Sequence, residues 1–164
     1  MLVDSYSRKI FNMAFQFTGS HPEAEDLTQE IFMKVYNSLG KFNTDKNFTA
    51  WLLTLAKNHL IDEYRRTKWE KRNRDDFEEA LEREPGRGGG VEESAVQEEN
   101  RKVLWQGLNR LPSEIRMAII LKELQGKKYD EVAEVLHLPL GTVKSRINRG
   151  KLMLAKILQE RKEA

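Results

Sequence analysis

The segment from Lys128 to Leu158 constrains the fold more than any other part of the chain. Val132, Ala133 and Leu136 fall at helical spacing and form one apolar stripe. Pro139 cannot continue that helix, because it lacks an N–H and its ring collides with the preceding turn. Gly141 is permissive and Thr142 is a good N-cap, so a second helix is predicted to start there. In that helix Val143, Ile147, Leu154 and Leu158 share one face, and Ser145, Asn148 and Arg149 point the opposite way at about 100° per residue. Two short helices, a tight turn and such an outward face match a helix-turn-helix, whose second helix enters the DNA major groove. An Arg can fork onto guanine, an Asn can pair with adenine, and a Ser can serve either. Lys144, Arg146 and Lys151 flank these positions and suit phosphates. The plain alternative is a basic amphipathic helix with a solvated face, which needs neither the turn nor the first helix.

Around this segment the charge is segregated. The net charge of the 164 residues is only +2, yet 33% are charged. Nine Lys and Arg stand against four acids between Lys41 and Arg74, ten acids against two arginines in 75–99, and seven basic residues against two acids from Thr142 to Ala164. A chain that touches nucleic acid at two places, with an acidic strap between, is the simplest account. The acidic stretch contains Pro85-Gly86-Arg87-Gly88-Gly89-Gly90 and reads as a flexible linker. It divides an all-α chain into two small helical domains, 1–74 and 99–164, with the linker at 75–98.

In the first domain, Tyr6, Ile10, Met13, Ala14 and Phe17 form a helical stripe that Gly19 ends. Ser20 and Glu23 have capping-box spacing and open a second helix with Leu27, Ile31, Val35 and Leu39 inward. Its other face carries Glu25, Asp26, Gln29 and Glu30, either a solvated acidic surface favoured by the helix dipole or a docking face for a basic partner. After the polar loop 41–47, a third helix runs from Phe48 to about Lys71, with Phe48, Leu52, Leu55 and His59 on one stripe that Ala56 and Leu60 widen. Its basic end interleaves Trp51, Tyr64 and Trp69 with Lys and Arg, a mixture that suits a phosphate backbone and unstacked bases. Trp51 reads equally well as core; Tyr64 and Trp69 read as exposed.

In the second domain, residues 94–110 place Val96, Val103, Leu104, Gly107 and Leu108 on one side of a helix. Leu111-Pro112-Ser113-Glu114 breaks it and opens another, with Ile115, Ala118, Ile119 and Lys122 in line.

Several classes are excluded or disfavoured. With no cysteine there is neither a disulfide framework nor a thiolate metal site, which fits a reducing cytoplasm. No apolar run approaches the roughly 20 residues of a membrane helix, so no membrane insertion is expected. The chain lacks a phosphate loop, a nucleophile elbow and metal-ligand spacing, so no enzyme, cofactor or metal is expected. His21, His59 and His137 are far apart in sequence and read as cap-neighbour, core-edge and turn residues.

Three motifs in order resemble an extracytoplasmic-function sigma factor of the bacterial sigma-70 family. Residues 23–32, with Glu25, Asp26, Gln29 and Glu30, resemble region 2.2; Phe48 to Arg66, with Trp51, Asn58, Asp62 and Arg65-Arg66, resembles regions 2.3 and 2.4; Leu111 to Lys151, with Gly141 to Arg146, resembles region 4. Many members carry a further segment ahead of the helix of Tyr6 to Phe17, and alanine is commoner at the position of Gly150, which costs the helix about 1 kcal/mol.

The resemblance implies a promoter-recognition subunit of RNA polymerase. Glu25, Asp26, Gln29 and Glu30 would dock on the β′ clamp helices of the core enzyme, with further contact to β. The loop containing Lys46 and Asn47, with Trp51, Asn58, Asp62, Tyr64, Arg65 and Arg66 beyond it, would read and open the −10 element around a flipped-out base. Thr142, Ser145, Asn148 and Arg149 would read the −35 element, with Lys144, Arg146 and Lys151 on phosphates. The acidic linker would thread the RNA-exit path. Most members are held inactive by an anti-sigma factor. A free-standing helix-turn-helix regulator is the alternative; it needs neither the second basic-aromatic helix nor the linker.

Overall fold

A computed structural model describes residues 2–74 and 95–163, and these form two compact helical units. Most of the expected acidic linker, 75–94, lies outside the described residues, as does the side chain of Trp69. Residues 95–98, grouped with the linker on composition, are the first turn of a helix. Among the described residues there is no strand.

The first unit holds α1 (Leu2–Thr18), α2 (His21–Ser38), a 3₁₀ turn (Leu39–Lys41) and α3 (Phe48–Arg74). Ile10, Met13, Ala14 and Phe17 are buried as the stripe requires, and Tyr6 meets the Phe48 ring edge-on at 5.3 Å. Gly19, at φ 71°, stops α1 by donating its N–H to the Phe15 carbonyl at 2.7 Å, a left-handed conformation that costs glycine little. Ser20 is the N-cap of α2, its Oγ accepting from the Glu23 N–H at 3.3 Å. Leu39 is an exception to the predicted stripe. The helix ends at Ser38, the backbone tightens into the 3₁₀ turn, and Leu39 is half exposed.

Helix α3 packs against both α1 and α2, so a single stripe understates its burial. Leu52, Leu53, Ala56, Lys57, His59, Leu60 and Ile61 are all buried. The Lys57 ammonium is held below its ordinary pKa by burial, an effect that Asp62 partly opposes.

The second unit holds α4 (Ala95–Asn109), α5 (Ser113–Ile119), a π-helical turn (Ile120–Leu124), α6 (Tyr129–Leu136) and α7 (Leu140–Glu163). Leu108, Leu111 and Ile119 form a core under Leu104, Ile115, Met153, Leu154 and Ile157. Val96 departs from the predicted stripe of α4. Residues 95–102 are all exposed, because the cover of this unit begins only at Val103. Helix α5 is buried from Arg116 through Ile119, and burial continues to Leu121, well beyond the stripe read from the spacing.

Two helix crossings in this unit rest on glycine. A Cβ built on Gly107 of α4 would stand 2.8 Å from Leu154 Cδ1 of α7. One built on Gly150 of α7 would stand 2.6 Å from both Ile115 Cγ2 and Ile119 Cδ1 of α5. The absence of a side chain at Gly150 is therefore what lets α7 approach α5, and the propensity lost along the helix is returned as packing.

Candidate nucleic-acid interface

The turn between α6 and α7 sets the angle of the exposed face. His137 closes α6 in the left-handed conformation at φ 54°. The His137 N–H donates to the Glu134 carbonyl at 3.4 Å and the Leu138 N–H to the Ala133 carbonyl at 3.1 Å, the paired bonds of a Schellman ending. Helix α7 begins at Leu140, two residues before the predicted cap. The Val143 N–H already donates to the Pro139 carbonyl at 3.1 Å, so Thr142 lies in the first turn and is exposed there. Pro139 fits just ahead of a helix start, where its missing N–H is not needed.

Along α7, Val143, Ile147 and Gly150 are buried and Ser145, Asn148 and Arg149 are exposed, so the two faces separate as the spacing predicts. On α6 the inward residues are Val132 and Val135, while Ala133 and Leu136 are only half-buried. Arg146 is half-buried at the edge of the exposed face.

Two of the expected phosphate-binding lysines have partners of their own. Lys151 Nζ lies 2.7 Å from Glu123 Oε1 in the π-helical turn. This pairing holds the Glu123 carboxyl below its ordinary pKa and raises that of Lys151. Lys144 Nζ sits 5.6 Å from the centre of the Tyr129 ring, and Lys122 Nζ is over the same ring at 4.8 Å. Neither Glu123 nor Tyr129 stands out in the sequence, since only the fold brings them to α7.

In the first unit an aromatic cluster holds the loop ahead of α3. Phe42 lies 5.1 Å from Trp51 and 5.4 Å from Phe48, ring centre to ring centre, and Phe48 lies 5.7 Å from Trp51. Trp51 is thus half-buried and packs within this cluster, with part of its ring still open to solvent. Residues 43–47 are exposed above the cluster. Lys46 is among them, and Asn47 caps α3, its Oδ1 accepting from the Ala50 N–H at 3.3 Å.

Farther along α3, Asn58, Asp62, Arg65 and Arg66 are exposed on successive turns. Arg66 donates to Glu63 at 2.7 Å and to Glu70 at 2.9 Å, and the first of these bonds keeps the Glu63 carboxyl below its ordinary pKa. Tyr64 corrects the expectation of exposure. It is half-buried, with its ring edge-on to Phe17 at 5.8 Å and Lys68 over it at the same distance. The wide burial of α3 draws Tyr64 onto α1, which a single-helix stripe does not reveal.

The outer face of α2 presents Glu25, Asp26, Gln29 and Glu30 to solvent. Glu25 lies 3.3 Å from His21 Nδ1. Glu30 reaches across to α3, where its Oε2 is 2.7 Å from Nε2 of the buried His59. Glu30 therefore helps to join α2 to α3 as well as forming part of the acidic face. Glu30, His59 and Glu63 bring their ligand atoms within 4.8 Å of one another. His59 already binds Glu30 and Arg66 already binds Glu63, so the protein's own donors serve both carboxylates. Spacing missed an apolar element on the same helix: Met33 is 66% and Tyr36 81% exposed, and with Gln29, Phe32 and Asn37 they line a shallow groove. The signal was present as two large apolar residues three apart on the polar side of α2.

These two surfaces coincide with two family matches. Residues 2–70 match sigma-70 region 2 and residues 101–154 match sigma-70, region 4. The RNA polymerase sigma-H factor of Pseudomonas aeruginosa is 33% identical, over 97% of this chain and 85% of its own. The ECF RNA polymerase sigma factor SigW of Bacillus subtilis is 32% identical over 97% and 88%, and the ECF RNA polymerase sigma-E factor of Escherichia coli is 33% identical over 92% and 81%. The chain belongs to the extracytoplasmic-function group of the sigma-70 family.

This ECF sigma factor is similar in fold to RpoE of Bartonella quintana, solved in complex with the anti-sigma factor NepR. The TM-score is 0.69 and the identity 25%, over 93% of this chain and 91% of that one. CnrH, solved with the cytosolic domain of CnrY, shares the fold at a TM-score of 0.70 and 23% identity, over 97% of this chain and 86% of that one. As an RNA polymerase sigma factor the chain belongs to a family whose members are not enzymes in the catalytic sense. A free-standing helix-turn-helix regulator is disfavoured, because it leaves the region 2 match over residues 2–70 without a purpose. Among the described residues no helix is long and apolar enough to cross a membrane.

Proposed function

We propose that this sigma factor docks on core RNA polymerase through α2 and contacts promoter DNA with both units. Residues 1–74 act as region 2, 99–164 as region 4, and 75–98 as the acidic connection between them. The face of Glu25, Asp26, Gln29 and Glu30 meets the basic surface of the β′ clamp helices, with Met33 and Tyr36 adding apolar contact beside it. Further contact is to β. Lys46, Asn47, Asn58, Asp62, Arg65 and Arg66 line the −10 side, where Trp51 and Tyr64 brace the loop and helix from behind. Thr142, Ser145, Asn148 and Arg149 read the −35 element, and Lys144, Arg146 and Lys151 take phosphates.

One observation carries this reading: α7 buries Val143, Ile147 and Gly150 while presenting Ser145, Asn148 and Arg149 outward, in a chain whose residues 2–70 also match sigma-70 region 2. An anti-sigma factor regulates it, as the solved complex of the Bartonella quintana relative illustrates for that protein. The site of action is the bacterial cytoplasm, where the polymerase works.

Run-off transcription with purified core enzyme and templates carrying randomised promoter segments tests the proposal. The expected result is enrichment of a two-part promoter sequence that core enzyme alone does not select. Transcription with no sequence preference beyond that of core enzyme overturns it.

A further inference from the structure

Lys122, Lys144 and Lys151 converge on one patch beside the exposed face of α7. Lys122 and Lys144 flank the ring of Tyr129 at 4.8 and 5.6 Å, and Lys151 pairs with Glu123 at 2.7 Å. The patch is assembled from three elements. Lys122 and Glu123 come from the π-helical turn, Tyr129 from the start of α6, and Lys144 and Lys151 from α7. The wide turn is closed by the Gln125 N–H on the Ile120 carbonyl at 2.8 Å and by Gly126 at φ 69°. Such interruptions of α-helix recur at functional sites. Here the extra residue lets Glu123 face α7 while Lys122 lies over Tyr129.

Two ammonium groups flank one phenol ring and a third is paired with the carboxylate next to Lys122, so the patch forms a cradle for an anion whose α7 side a single carboxylate now occupies. We propose that this cradle binds a backbone phosphate of duplex DNA and that Glu123 is a tethered stand-in for that phosphate, which sets the affinity by competing for Lys151. The inference rests on the reading of α7 as the DNA-contacting helix. It goes further by adding Lys122 and Tyr129 to the contact surface and by giving Glu123 an opposing role.

The physical basis is an exchange. Lys151 and Glu123 are 48% and 39% exposed, so their pairing is screened and easily replaced. A phosphate that displaces the carboxylate leaves that charge close to the DNA, and this repulsion is the cost of binding. Removing the charge but keeping the shape, as in Glu123→Gln, frees Lys151 at no loss of volume.

The test uses the full chain and a short fluorescent duplex, titrated by anisotropy at several salt concentrations. Glu123→Gln is expected to bind about two- to fivefold more tightly at low salt. It should also steepen the slope of log affinity against log salt by about one unit, the signature of one more phosphate contact. Adding Lys151→Gln to Glu123→Gln is expected to cancel both effects, and Lys122→Gln is expected to weaken binding. Unchanged or weaker binding by Glu123→Gln overturns the inference, as does tightening that survives Lys151→Gln. Arg149→Ala and Ser145→Ala separate this failure from that of the parent reading. If they weaken binding while Glu123→Gln does not tighten it, the stand-in role alone is wrong. If neither they nor the lysine variants change binding, α7 is not the DNA-contacting helix and both readings fall.

Discussion

Gly150 of α7 lies so close to Ile119 of α5 that a methyl group at position 150 would stand 2.6 Å from Ile119 Cδ1 and equally close to Cγ2 of Ile115. Ile115 is β-branched, and its Cγ2 cannot swing away without a change of χ1. Gly150→Ala therefore adds about 1 kcal/mol of helix propensity and introduces about 1–3 kcal/mol of overpacking. The expected outcome is a net loss of roughly 1 kcal/mol in urea unfolding, recovered in part by a second change, Ile119→Val. A variant more stable than the parent would show that α5 and α7 separate freely here.

The bond between Glu30 and His59 divides the acidic face of α2 into two kinds of residue. Asp26 is exposed, so Asp26→Lys is expected to weaken association with core polymerase by roughly 1–2 kcal/mol and leave the unfolding midpoint unchanged. Glu30→Lys removes the acceptor of the buried His59 and should also cost about 1–3 kcal/mol of stability. The measurements are a binding titration with core enzyme and urea unfolding of each variant. Equal unfolding midpoints for the two would remove the structural role of Glu30.

Lys57 gives the first unit a pH dependence of definite sign. Burial lowers its pKa in the folded chain below the ordinary 10.5, so in the interval just below 10.5 the unfolded chain binds more protons than the folded one. Stability contributed by this residue therefore rises with pH across that interval, and the cost of the buried ammonium is present in full below it. Lys57→Met is expected to stabilise the protein by about 1 kcal/mol near neutral pH. The advantage should shrink as pH rises toward about 10. Unfolding of both proteins across this range checks it; a constant difference would mean that the ammonium is fully solvated.

Arg149→Ala should cost about 1–3 kcal/mol at one base pair of the −35 element and relax preference there. Binding measured on a set of duplexes varied one base pair at a time distinguishes this from a phosphate contact. An equal loss on every duplex would assign Arg149 to the backbone.

Much of this chain could be read before folding. The periodicity of residues 5–18, 21–38 and 143–158 depends on side chains within one helix, and local spacing reports it well. So do Ser20 as a cap and Gly19 as a stop, because the atoms that bond there are neighbours in sequence. The outward grouping of Ser145, Asn148 and Arg149 belongs to the same class. Tyr64, Leu39 and Val96 departed from expectation because their exposure depends on which other element covers them.

The amino-acid sequence by itself determined the helices, the two-unit arrangement and the surface of α7 that faces outward, because each follows from chemistry within a few residues. Only the tertiary structure decided that Glu30 would bind His59, that Gly150 would serve as a contact point and that Glu123 would meet Lys151. Those partners lie 29, 31 to 35 and 28 residues apart in the chain, and no local rule brings them together. Their meeting is set by how buried helix faces pack, and that packing is a property of the whole unit.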